Sequence, residues 1–77
     1  MNRFELDARN MLCPLPVIRA QEPVATLAPG DVLDILCTDP GATNDIPAWC
    51  RINGHKVVAM RTEDRDIVIT VEVGTGA

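Results

Sequence analysis

Four side chains in this sequence are thiols or an imidazole, the types that do thiol chemistry or bind zinc with it: Cys13, Cys37, Cys50 and His55. Cys13 stands out because of what surrounds it, Leu12-Cys13-Pro14-Leu15-Pro16. Two prolines one residue apart would disrupt a helix interior, but the first turn of a helix accepts them, because its N–H groups have no intrahelical partner. With Cys13 as N-cap, Pro14 becomes N1 and Pro16 becomes N3. Both fix φ near −65° and stiffen the start of the helix. A cysteine there sits at the positive end of the helix macrodipole, which favours thiolate and lowers the thiol below its free value of about 8.5. Leu15 alone keeps its N–H, so the expected activation is modest. Pro16 also occupies the place of the second thiol in a Cys-x-x-Cys oxidoreductase, where that thiol would eject whatever is bound to the first. A sulfur adduct on Cys13 therefore has no neighbouring thiol to displace it, which is the behaviour of a carrier.

The plainer readings differ from residue to residue. An isolated cysteine near a helix start most often packs as a small apolar side chain; a serine or aspartate would cap equally well, so the double proline tips the balance towards chemistry. Cys37 falls on the core side of a strand and Cys50 beside Trp49 on a helical stripe, so both read as core. His55 follows Asn53-Gly54 and reads as a loop residue. The spacing of these residues does not form a zinc motif. Asp39, at the end of a strand before Pro40, reads as a turn or cap residue.

The elements that must position Cys13 follow from periodicity. Arg3-Phe4-Glu5-Leu6-Asp7-Ala8 alternates as a half-buried strand, and Asn10 marks a turn. From Pro14 to about Ala28, Val17, Ala20, Val24 and Leu27 recur at helical spacing, with Ile18 on the flank. Pro23 predicts a kink or break in that helix. After Ala28-Pro29-Gly30-Asp31, a central strand places Leu33, Ile35 and Cys37 on one face and Val32, Asp34, Leu36 and Thr38 on the other. Asp39 to Asp45 is a turn into a second helix, capped by Thr43 or Asn44. Pro47 is expected in or near its first turn, Ile46, Trp49 and Cys50 form its stripe, and Asn53-Gly54 stops it. The runs from Lys56 and Asp66 read as a hairpin joined by Glu63, Asp64 and Arg65. The order β-α-β-α-β-β makes the first two strands parallel with a right-handed crossover and the last two antiparallel. The expected fold is α+β, a two-layer sandwich with both helices on one face of a mixed four-stranded sheet. The other face carries Val32, Leu36 and Val58 or Met60. Residues 1–77 read as one domain with a frayed tail from about 74.

Composition narrows the function. The formal net charge is −4 and the seven basic residues are scattered, which argues against direct nucleic-acid binding and leaves room for a protein partner with a basic face. Three cysteines do not suggest a disulfide framework. The first ten residues contain no apolar stretch, and no run approaches the roughly 20 apolar residues that span a bilayer. A reducing, cytoplasmic setting is expected.

The stretch Leu6 to Pro16, Leu-Asp-Ala-Arg-Asn-Met-Leu-Cys-Pro-Leu-Pro, resembles the signature of the TusA (SirA/YedF-like) sulfur-carrier family. Leu27-Ala-Pro-Gly-Asp31 resembles that family's helix exit, and Thr38 to Cys50 resembles its Asp-Pro and Asp-Ile-Pro-x-aromatic-Cys segment. The similarity runs from about residue 4 to 73. The resemblance implies a sulfurtransferase that needs no cofactor and no metal and carries a persulfide on Cys13. It implies a cysteine desulfurase or rhodanese-like protein as sulfur donor, and an acceptor protein that leads to tRNA thiolation, molybdenum-cofactor assembly or sulfur oxidation. Asn10 stands where the family usually has glycine, and Pro23 is unusual for it. The alternatives are a non-catalytic regulatory or RNA-associated module, since a translation initiation factor domain shares this element order, and a thiol redox protein using Cys37 or Cys50.

Overall fold

The computed structural model describes residues 2–74. Its elements are β1 (Arg3–Ala8), α1 (Leu15–Val24), β2 (Val32–Cys37), α2 (Ala42–Asn53), β3 (Lys56–Glu63) and β4 (Asp66–Glu72). They form one four-stranded sheet in the order β1-β2-β4-β3, with β1 and β2 parallel and the other pairs antiparallel. The α+β architecture read from periodicity is the one observed.

The core lies between the sheet and the helices. Leu33, Ile35 and Cys37 of β2 and Ile69 and Val71 of β4 are buried there with Ala20 and Val24 of α1 and Ala42, Ile46 and Cys50 of α2. Val17, Leu27 and Trp49 pack at its margin. The alternation in β2 decides this, because a period of two sends every second residue to the helices.

The helices depart from the sequence reading in three places. First, α1 ends at Val24, one residue beyond Pro23, rather than near Ala28. Pro23 cannot donate to the Arg19 carbonyl and its ring crowds it; the chain continues in turns, with the Thr26 N–H and hydroxyl both donating to the Pro23 carbonyl at 3.0 and 2.7 Å. Second, α2 starts at Ala42 with Gly41 as its N-cap and no side-chain cap, so neither Thr43 nor Asn44 caps it. The Thr43 hydroxyl donates instead to the Pro40 carbonyl at 2.7 Å. Third, Pro47 lies in the second turn of α2 rather than the first, where it leaves the Thr43 carbonyl without its helical donor. The helix stops where expected: Gly54 takes the left-handed conformation (φ 78°) and the His55 N–H closes on the Cys50 carbonyl at 2.8 Å.

The outer sheet face carries a buried polar knot. Arg3 donates to both carboxylate oxygens of Asp34, at 2.7 and 3.0 Å, and the Thr70 hydroxyl donates to Asp34 at 2.6 Å. Burial alone would raise Asp34; the Thr70 and Arg3 donors outweigh it and hold the carboxyl below its usual range. Val32 and Val68 are buried on this face although neither α1 nor α2 covers it; the aliphatic stem of Arg3 is suited to shielding such surface. Val58 is exposed here beside a register shift between Val57 and Ala59. That bulge places Met60 opposite Ile69, on the helix side, where the sequence reading had left it open to the outer face.

At the far end of α2, His55 packs its ring against Trp49, with centroids 5.2 Å apart. It accepts the Gly74 N–H on Nδ1 at 3.0 Å. Gly74 is thus tied down, whereas the rest of the expected frayed tail, 75–77, lies outside the described residues. Accepting that bond requires a neutral imidazole, and burial lowers the His55 pKa below its ordinary 6.5. The unfolded chain then binds the proton more readily than the folded one. Stability is full above about pH 6.5 and falls as pH drops through the folded value. Urea unfolding at pH 7 and pH 5, a window in which ordinary carboxylates stay ionised, is expected to show the loss. His55→Gln should flatten it, and an unchanged slope in that variant would contradict this assignment.

Candidate functional site

Parallel pairing of β1 with β2 brings Ala8 beside Cys37, so the two strands end at the same sheet edge. The β1–α1 loop carries Cys13, the β2–α2 loop carries Asp39 and Gly41, and both leave from that edge. Sites in sheets with parallel strands commonly form outside their carboxyl ends, and this is such a place. The loops are joined by hydrogen bonds. Asn10, left-handed at φ 65°, donates its N–H to the Thr38 hydroxyl at 2.9 Å. The Cys13 N–H donates to Asp39 Oδ2 at 2.7 Å, and the Gly41 N–H to Asp39 Oδ1 at 3.1 Å. Asp39 therefore clamps the cysteine loop to the start of α2, and those two donors hold its carboxyl below the ordinary range.

The helix start differs by one position from the sequence reading. Pro14 is the N-cap of α1, which puts Cys13 just outside the helix and Pro16 at N2. The Cys13–Pro14 peptide is cis. Neither proline withholds a donor that the helix needs. The Leu15 N–H, expected to face the sulfur, donates instead to the Leu12 carbonyl at 2.9 Å. Cys13 has lost that donor and faces two carboxylates, and the sign of the expected activation is reversed. Partial burial and the nearby Asp45 and Asp39 push the Cys13 thiol up to about 12. In the free protein Cys13 is a thiol.

Gly41 is the third neighbour. A methyl group at its α-carbon would lie 3.2 Å from Cys13 Sγ and 3.5 Å from Asp39 Oδ2. Its φ of −58° suits any residue, so the requirement is for space. Gly41→Ala should crowd the sulfur, and alkylation of Cys13 by iodoacetamide is expected to slow severalfold while the fold persists. An alkylation rate equal to wild type would contradict this close approach.

The other sulfurs are placed differently. Cys37 and Cys50 are 0 % and 1 % exposed, and burial raises both thiols to about 11. All three cysteines are free. His55 follows the C-terminus of α2, whereas Gly41 beside Cys13 precedes its N-terminus. A 12-residue helix is roughly 18 Å long, so His55 is no base for Cys13. Sequence reasoning singled out Cys13 and the two prolines, gave Asp39 a turn or cap role and passed over Gly41 and Asp45. The available signal was topological: parallel strands make the loops after β1 and β2 neighbours. Next to Cys13 along the chain, from the β1–α1 loop into the start of α1, the apolar flank of Leu12, Leu15 and Ile18 is 74 %, 48 % and 52 % exposed.

Comparison with known proteins identifies the family. The family model described as "Sulfurtransferase TusA" matches residues 4–73. Two Neisseria meningitidis proteins, named "Putative sulfur carrier protein" NMA0882 and NMB0681, are each 42 % identical over 73 residues, covering 95 % of this chain and 96 % of theirs. A Bacillus subtilis protein of the same description, YrkI, is 36 % identical over 63 residues, covering 82 % of this chain and 83 % of its own. The crystal structure of a SirA-like protein from Desulfitobacterium hafniense superposes with a TM-score of 0.80 at 24 % identity, over 92 % of this chain and 97 % of that one, a likeness of fold. The chain belongs to the TusA family of sulfur carriers.

Proposed function

We propose that this protein accepts a sulfane sulfur on Cys13 and passes it, as a persulfide, to a second protein. The observation that carries the reading is exposure: of the three cysteines, Cys13 alone is open to solvent, at the sheet edge where the two loops meet. In the loading step the Cys13 thiol gives its proton to solvent. The thiolate then attacks the outer sulfur of a donor persulfide, R–S–SH. The new bond joins Cys13 Sγ to that sulfur, the S–S bond of the donor breaks, and R–S⁻ leaves. Cys13–S–SH remains, with no net oxidation and no cofactor. Delivery is the same exchange in reverse roles, with an acceptor thiolate attacking the outer sulfur.

Pro14 and Pro16 support this reading because they stiffen the helix start and leave no resolving thiol two or three residues on. The donor is proposed to be a cysteine desulfurase or rhodanese-like protein that docks against the apolar flank of Leu12, Leu15 and Ile18. The setting is proposed to be the cytoplasm, and the destination one of the sulfur pathways that the family serves. The test is incubation with a cysteine desulfurase and free cysteine, followed by intact-mass measurement. The expected product is heavier by one sulfur atom and returns to the starting mass on treatment with a reducing thiol. A mass that never changes would refute the reading.

A further inference from the structure

A carrier whose thiol is flanked by carboxylates poses a problem, because the exchange needs a thiolate. Two observations place those carboxylates. Asp39 holds the Cys13 N–H at 2.7 Å, and its Oδ2 and Cys13 Sγ both lie within 3.5 Å of one point in space, the position of a methyl group on Gly41. Asp45 follows Gly41 by four residues on α2, with its N–H on the Gly41 carbonyl at 3.1 Å, so it shares the helix face that Gly41 turns to the sulfur. Asp45 is exposed and Asp39 half-buried, so an approaching protein can reach both. The charged groups that raise Cys13 are these two, one from the β2–α2 loop and one from α2. The apolar flank of Leu12, Leu15 and Ile18 lies along the start of α1.

We infer that Asp39 and Asp45 form an electrostatic gate on Cys13, which keeps the free protein's thiol a poor nucleophile and selects a partner protein that brings a lysine or arginine against the two carboxylates. A cation so placed offsets the charges that disfavour thiolate. The sulfur then becomes reactive only inside the complex, and stray electrophiles in solution meet an unreactive thiol. Asp39 and Asp45 are specificity-determining groups in this account, and Asp39 is a positioning residue as well. The inference rests on Cys13 as the sulfur acceptor, but its test needs no sulfur donor, so the two can fail separately.

The test measures the rates at which Cys13 reacts with two thiol reagents of equal reach and opposite charge, aminoethyl methanethiosulfonate (a cation) and sulfonatoethyl methanethiosulfonate (an anion). Each rate is divided by that for free cysteine. The wild-type protein is expected to prefer the cation by roughly tenfold or more at low salt. The preference should shrink severalfold in 1 M salt, where the screening length is about 3 Å. Asp45→Asn should cut it severalfold with the fold unchanged, because that side chain is exposed. Asp39→Asn should also cut it, and both variants should move the pH–rate profile for neutral iodoacetamide to lower pH, which a merely structural role would not do. If Asp39→Asn fails to fold, Asp45→Asn decides the matter. A wild-type ratio equal to that of free cysteine, or an Asp45→Asn protein with an unchanged ratio and profile, would overturn the gate.

Discussion

Cys13→Ser is expected to abolish sulfur loading, whereas Cys37→Ser and Cys50→Ser, where they fold, should load as wild type does. Serine nearly matches cysteine in size, and the Asp39 clamp holds the backbone N–H of residue 13, which the substitution keeps. The loop should therefore retain its shape. What changes is chemistry. A hydroxyl does not ionise in the range where a thiol does, and it does not exchange with a persulfide sulfur. The two remaining cysteines cannot substitute because they are closed to solvent in the core. The measurement is intact mass after incubation with a desulfurase and cysteine, alongside urea unfolding to show that the fold stands. Loading of the serine variant to the wild-type extent would remove Cys13 from the account.

The second large effect concerns stability. Ile35 is fully buried at the centre of β2, paired with Leu6 on one side and Ile69 on the other. Ile35→Ala removes buried methyl and methylene groups beneath both helices, and such a truncation costs about 2–5 kcal/mol. A chain of this length has a net stability of about 4–12 kcal/mol. The loss is thus a large share of the whole, and a fraction of molecules unfolded at ambient temperature is expected. The urea midpoint checks it; a change below about 1 kcal/mol would mean that the sheet–helix layer repacks around the gap. Either result bears on the site, because β2 carries the loop that delivers Asp39 to Cys13.

What was legible in the sequence depended on range. Alternation in β1 and β2 is a nearest-neighbour signal, and it placed Leu33, Ile35 and Cys37 on the face where they are found. Proline and glycine rules located the ends of the helices to within a few residues. They erred at the start of α2, where Asp39 engages Gly41 from outside the helix and no side chain inside it caps. The bulge between Val57 and Ala59 leaves no mark in a run of β-branched and small residues, so the sequence did not decide between Val58 and Met60 for the outer face. At the site, the Cys-Pro-Leu-Pro motif was readable because its prolines act on their own backbone. The carboxylates were not, because they reach Cys13 across the β1–β2 pairing from 26 residues away or more. Their effect opposes that of a helix start, which is why a local argument from the macrodipole gave the wrong sign for the thiol.

The central claim is that one sulfur atom resides on Cys13 and moves on. The most direct measurement loads the wild-type protein, removes the donor, and follows the mass of the Cys13 peptide before and after an acceptor thiol protein is added. The account predicts one added sulfur on that peptide, none on the peptides of Cys37 and Cys50, and its disappearance as the acceptor gains the same mass. An added sulfur found on Cys37 or Cys50, or one on Cys13 that no acceptor thiol removes, would contradict it.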